Sequence, residues 1–326
     1  MKYLSGGLTK RVDEELRIIS RRKALRGIGA AFVAAPFAKL LIGCSSDGDA
    51  GTSSGTGTDS GTGTDSATNA DAIGTGEAGA WATGGTAVMT GNYPDPFTSG
   101  LGSACTLTCA ATLGPCYAQT IERKDISEGH DGLPVRLAFL VVDESCTPVA
   151  NASIDIWHCA PEGLYSGSDA SDFCTSGDAT ARAARWFRGV QTTDSNGRVD
   201  FDTCFPGWYS SRTIHIHFTI RINGTEYVTS QLVFDDALDD EIVSTQPLYN
   251  TRGARDTTNT NDNVVGGADL ANYTFETARM SDGAMLAWKA IVVRSSTSTA
   301  LCSIGGGGGG PRDGGGPRDG GGPPPP

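Results

Sequence analysis

Two histidines one residue apart, His215 and His217, lie in the run Thr213-Ile214-His215-Ile216-His217-Phe218-Thr219-Ile220. Its β-branched and aromatic residues make it read as a β-strand. Strand side chains alternate between faces, so both imidazoles share one face and Ile214, Ile216 and Phe218 take the other. Two imidazoles on one face can grip a single metal ion. Just upstream, in Pro206-Gly207-Trp208-Tyr209-Ser210-Ser211-Arg212, Tyr209 offers an anionic oxygen ligand and Arg212 a fixed cation. The same pair also suits an ordinary half-exposed strand face, so its meaning depends on what accompanies it.

Three further blocks accompany it. Ala152-Ser153-Ile154-Asp155-Ile156-Trp157-His158-Cys159-Ala160-Pro161-Glu162-Gly163-Leu164-Tyr165-Ser166-Gly167 comes first, then Arg188-Gly189-Val190-Gln191-Thr192-Thr193-Asp194. Thr229-Ser230-Gln231-Leu232-Val233-Phe234 follows the histidines. In this order and at these spacings, residues 112–295 resemble the intradiol ring-cleavage dioxygenases, the family of protocatechuate 3,4-dioxygenase and catechol 1,2-dioxygenase. The resemblance implies a β-sandwich holding a non-haem Fe(III) ion with two tyrosinates and two histidines. By motif these are Tyr165 in Gly-Leu-Tyr, Tyr209 in Pro-Gly-Trp-Tyr, His215 and His217. It also implies a catechol-type substrate, O2 as co-substrate and a cis,cis-muconate-type diacid product. Tyr209 is then the tyrosinate that accepts a substrate proton, Arg212 the arginine beside the ring and Gln231 the active-site glutamine.

The chemistry suits those residue types. A free phenol has a pKa of about 10, but a hard, highly charged cation favours its anion. Two phenolates and a hydroxide cancel the charge of Fe(III), and imidazoles complete the sphere without adding charge. Two histidines with one carboxylate would suit ferrous oxygenases instead, but Asp155 lies on the wrong side of the pattern. Arg212 could also be a surface salt bridge, and Gln231 an ordinary polar strand residue. His158 reads as a hydrogen-bonded structural histidine, His130 as a loop residue and Tyr117 as pocket wall or packing. Trp157, Trp186 and Trp208 read as core or rim aromatics.

Residues 1–44 read as a targeting segment. Ser20-Arg21-Arg22-Lys23-Ala24-Leu25-Arg26 looks like a twin-arginine export signal. The apolar stretch 27–43 is too short, and too interrupted by Lys39, for a membrane span. Leu41-Ile42-Gly43-Cys44 resembles a bacterial lipobox, implying a lipid on Cys44 and anchorage to the cell envelope. An ordinary signal peptide cut elsewhere, or an uncleaved anchor, is the rival. Residues 45–99 read as a Gly/Ser/Thr linker, 100–303 as one β-sandwich domain, and 304–326 as a disordered Gly/Pro-rich tail.

The chain carries 25 basic and 37 acidic side chains. Nine of the basic and three of the acidic ones fall in residues 1–43, so the remainder is clearly acidic, which argues against nucleic-acid binding. Besides Cys44 there are eight cysteines. An even number in an exported chain suggests disulfides rather than a thiolate metal site at Cys105 and Cys109. Cys159 with Cys174 is the expected local pair, because the loop between them must fold back past Tyr165. The bridges are expected as surface staples, oxidised after folding.

Alternation predicts strands over 135–142, 152–157, 186–192, 198–203, 213–220, 226–234 and 288–294, with Asn223-Gly224 closing a hairpin. A short helix is expected over 235–244 and loop over most of 250–284. Short strands between turns predict an all-β, antiparallel β-sandwich with long loops and little helix. A non-catalytic surface β-sandwich that binds through a retained metal site is the competing function. A copper-binding domain built on His-Ile-His is a third reading, and it leaves both tyrosines unexplained.

Overall fold

The structure, a computed structural model, describes residues 79–101 and 105–304. The export signal, the lipobox, linker residues 45–78 and tail residues 305–326 lie outside them. The strands are β1 Pro134–Asp143, β2 Ala152–Trp157, β3 Arg188–Thr192, β4 Arg198–Cys204, β5 His215–Ile222, β6 Thr225–Val233, β7 Glu276–Arg279 and β8 Met285–Val293. They form two four-stranded sheets, ordered β4-β1-β8-β7 and β3-β2-β5-β6. Among the described residues no helix is long and apolar enough to cross a membrane.

The expected strands are present within a few residues of their ends. One difference concerns direction: β1 and β8 pair in parallel. Alternation fixes which face a residue takes but not which way its neighbour runs, and a parallel partner needs a long connection. A second difference is β7, a short edge strand inside the region expected as loop. The expected helix is present as Asp236–Thr245, capped by the Asp235 carboxylate, which accepts from the Ala237 and Leu238 N–H groups.

Inward residues of both sheets meet in one core. β1 gives Val135, Leu137, Phe139 and Val141, β2 gives Ile154 and Ile156, and β5 gives Ile216, Phe218 and Ile220. Each such side chain contributes about 1.5–3 kcal/mol by leaving water, which pins the β5 register, since a one-residue slip would drive the histidines into this core. The β5–β6 turn has φ of 51° at Asn223 and 78° at Gly224, as a two-residue hairpin with matching twist requires. The resulting register sets His217 opposite Gln231 on β6 and Trp157 on β2, and Trp157 opposite Arg188 on β3. One row of side chains, Arg188, Trp157, His217 and Gln231, therefore crosses the outer face of the second sheet.

The linker boundary at residue 99 does not match the packing. Trp81 is buried in the core cluster, its indole N–H donates to Glu241 (2.8 Å), and the Arg279 guanidinium lies 4.0 Å over its ring. Thr90 and Tyr93 donate to Asp282, and Arg198 stacks on Phe97. Residues 79–99 thus lie against the sandwich. Their aromatics are scattered among Gly, Thr and Pro, so composition alone reads as tether.

Three disulfides join Cys105–Cys146, Cys109–Cys302 and Cys116–Cys174. The expected Cys159–Cys174 pair is absent. Cys159 is a free thiol buried beyond the end of β2, with its Sγ 3.1 Å from the Gly207 carbonyl. Cys204 is also free and buried. Burial pushes both thiols up to about 12, so they are inert at neutral pH. Cys174 instead meets the segment ahead of the sandwich, where the Ser171 N–H donates to the Pro115 carbonyl. That bridge is not a surface staple, because both of its cysteines are buried beside Tyr165.

Candidate metal and substrate site

The histidines stand on the outer face of β5, each 2% exposed. The His215 Nδ1 lies 2.6 Å from the Thr213 carbonyl. A carbonyl only accepts, so Nδ1 carries the proton and Nε2 presents its lone pair to the site. The His217 ring stacks flat on Trp157, with centroids 4.9 Å apart and planes at 10°. Behind it lies Gly114, at φ +74°, where a Cβ would come 3.2 Å from the His217 Cε1. The two Nε2 atoms are 3.2 Å apart.

Loops bring in the tyrosines. Tyr209 follows Pro206-Gly207, and a Cβ on Gly207 would fall 2.0 Å from the Pro161 carbonyl oxygen. Only glycine lets this segment lie against the turn that leads to Tyr165. Tyr165 is held by its own N–H donating to the Cys174 carbonyl (2.9 Å) and by the Cys116–Cys174 bridge beside it. Arg188, fully buried, donates to the carbonyls of Ser166 and Cys116 and lies 5.8 Å over the Tyr165 ring. The Tyr209 Oη is 3.1 Å, and the Tyr165 Oη 3.4 Å, from the His215 Nε2. All four residues expected as ligands therefore converge.

Burial sets their charge. It raises Tyr209 to about 12 and Tyr165 well above the phenol range, and the neighbouring Tyr209 raises Tyr165 further. It lowers His215 to about 3 and His217 well below the imidazole range. The site thus offers two neutral imidazoles and two phenols whose protons only a strong cation would displace. Among the described residues no group of three or more His, Cys, Asp or Glu is arranged for a metal ion, so any metal here depends on the tyrosines. Two oxygens that become anions and two imidazole nitrogens suit a hard trivalent ion, and the residues fit Fe(III).

Arg212 forms an ion pair, but not at the surface. Its Nε donates to Asp262 (2.8 Å), whose side chain is fully buried, and its Nη2 donates to the Gln231 Oε1 (2.5 Å). Gln231 in turn donates to the Thr112 carbonyl (3.0 Å). Burial works against the Asp262 carboxylate, yet Arg212 and the Thr213 and Val265 N–H groups hold its pKa below the usual value. His158 has both ring nitrogens occupied, by the Cys159 carbonyl and the Thr203 hydroxyl, and stands outside the cluster. Tyr117 packs edge-on against Trp157 and donates to Asp155. His130 is a loop residue whose ring packs at a tilt of 54° against Trp186.

A cavity of about 350 Å³ opens onto both tyrosines, walled by Leu164, Trp208, Phe173 and the Cys116–Cys174 bridge. Sequence reasoning missed Asp262, Arg188 and this bridge. Arg188 opens one of the recognised blocks and pairs with Trp157, so the strand register could have pointed to it. Asp262 lies in the polar loop Thr257-Thr258-Asn259-Thr260-Asn261-Asp262, which has no periodicity to single it out.

A family model described as "Dioxygenase" matches residues 112–280, just over half of the chain. The chain is 28% identical to a chlorocatechol 1,2-dioxygenase from Pseudomonas putida over 123 residues, covering 32% of this chain and 44% of the relative. It is 27% identical to one from Cupriavidus pinatubonensis over 180 residues, covering 48% and 63%. These matches span less than two thirds of either relative. A solved intradiol ring-cleavage dioxygenase from Tetranychus urticae is 27% identical, with a TM-score of 0.52, covering 58% of this chain and 95% of that one. The family match takes in β2, β5 and β6 and both tyrosine loops, and the solved relative shares the sandwich that carries them: the chain belongs to the intradiol ring-cleavage dioxygenase family.

Proposed function

We propose that this protein is an Fe(III)-dependent intradiol dioxygenase that opens a catechol-type ring with O2 to a cis,cis-muconate-type diacid. One observation carries the reading: two phenol oxygens and an imidazole nitrogen lie within 3.1–3.4 Å of the His215 Nε2, beside a cavity that can admit a ring. Tyr165, Tyr209, His215 and His217 would hold the iron, which when bound supplies a Lewis acid for the two substrate oxygens.

The chain's own groups do the rest. A catechol must lose two protons. Tyr209, on the cavity wall and less buried than Tyr165, would take one at its Oη as the phenolate, and the hydroxide that balances the third charge would carry off the other as water. Arg212, oriented by Asp262 and Gln231, stabilises negative charge growing on the ring. The bond between the two hydroxyl-bearing carbons breaks and both atoms of O2 enter the product, so no external reductant is needed. The reading includes export and a lipid on Cys44, and three disulfides suit an oxidising compartment.

The test is oxygen uptake and diacid formation by the purified, iron-replete chain with catechol. Turnover is expected. Iron bound with no turnover on any catechol would leave the binding-module reading in its place.

A further inference from the structure

The cavity is larger than one ring needs. A volume of about 350 Å³ falls in the range of ~300–1,000 Å³ that holds drug-sized ligands, and a catechol has a single six-membered ring. One end is closed by the buried Tyr165 and by Tyr209. The rest of the wall carries the apolar Leu164, Trp208 and Phe173 together with Glu162, Ser176, Ser210 and Arg252.

Phe173 is 76% exposed, the most exposed of the large hydrophobic side chains among the described residues. It sits in α1, Asp172–Thr175, directly before the disulfide-bonded Cys174. Its backbone is therefore tied at the cavity mouth while its ring stays in water. Trp208 is fixed as well. The Arg252 guanidinium lies 4.6 Å over its ring and donates to the carbonyls of Trp208 and Glu162. Two anchored aromatics on the cavity wall offer apolar surface that a monocyclic substrate held at the tyrosines would leave unused.

We infer that the preferred substrate is a catechol bearing a second aromatic ring. The dihydroxylated ring enters toward Tyr165 and Tyr209, and the second ring packs on Phe173 and Trp208. The inference rests on the ring-cleavage reading. A rigid aryl group against aromatic walls buries apolar surface and stacks favourably, and it covers Phe173 at little cost in conformational freedom.

The test compares kcat/KM, by oxygen uptake of the iron-loaded full chain, for catechol, 3,4-dihydroxybenzoate and 4-phenylcatechol. The expected result is a preference for 4-phenylcatechol of at least about tenfold, the scale on which apolar pockets discriminate. Phe173→Ala should shrink that preference mainly through a higher KM for the aryl substrate. Equal values for catechol and 4-phenylcatechol would overturn the inference, as would a larger value for 3,4-dihydroxybenzoate, which would make the Arg252 charge the selector. An equal loss on all three substrates in Phe173→Ala would overturn it too, by making Phe173 structural. Oxygen uptake with none of the three would remove the ring-cleavage reading itself.

Discussion

The candidate site has two halves built by different physics. His215 and His217 stand on β5, between β2 and β6, in a register fixed by the ladder and by the Asn223-Gly224 turn. Tyr165 and Tyr209 stand on loops. What holds them comes from far along the chain: Cys116 through its bridge to Cys174, Arg188 through its carbonyl partners, and Gly207 against Pro161. The face and hairpin register of the strand half are specified within β5, its turn and β6. The loop half exists only once the tertiary fold is complete.

The sharpest break falls on the strand half. His217→Ala or His215→Ala should abolish iron retention, weakening affinity more than the ~10–100-fold typical of losing an outer-shell partner, with the sandwich still folded by circular dichroism. Iron content near wild type in either variant would contradict the ligand assignment. On the loop half the two tyrosines should differ. Tyr209→Phe should keep some iron and lose about 10²–10⁴-fold in turnover, the contribution of a positioned acid–base group. Tyr165→Phe should weaken iron retention and shift the visible absorption. Identical phenotypes would end this division of roles.

Arg212→Ala should retain iron and lose about 10²–10³-fold in kcat, as when a positioned charge-stabilising donor is removed. Arg212→Lys should recover only part, because a point charge replaces a fork that reaches Asp262 and Gln231 together. Unchanged kinetics would make Arg212 purely structural. The smallest effect separates the halves most cleanly. Removing Cys116–Cys174 or Cys105–Cys146 by paired Ser substitutions should cost about 2–4 kcal/mol of stability each. Only loss of Cys116–Cys174 should shift the visible absorption, because only that bridge touches Tyr165. Matching spectra for the two variants would show that the tyrosine loop holds itself.

This division also explains what the sequence made legible. Strand alternation put the histidines on one face and Ile216 and Phe218 in the core, and the Asn-Gly pair marked the hairpin. Tyr209 stands out only by its nearness to the histidines and Tyr165 only through family resemblance, since no local period marks a loop residue as a ligand. The disulfide partner of Cys174 is not legible because Cys116, 58 residues away, is close only in space. Direction was equally invisible: nothing in the alternation of β1 or β8 says that they run parallel. Asp262 and residues 79–99 share this cause, since isolated residues in polar segments acquire their role from packing.

Visible absorption and metal analysis of the purified, iron-replete wild-type chain test the central claim most directly. The account predicts about one iron per chain and a red-brown tyrosinate-to-Fe(III) band, lost when Tyr165→Phe and Tyr209→Phe are combined. A colourless protein, or zinc or copper in place of iron, would contradict it.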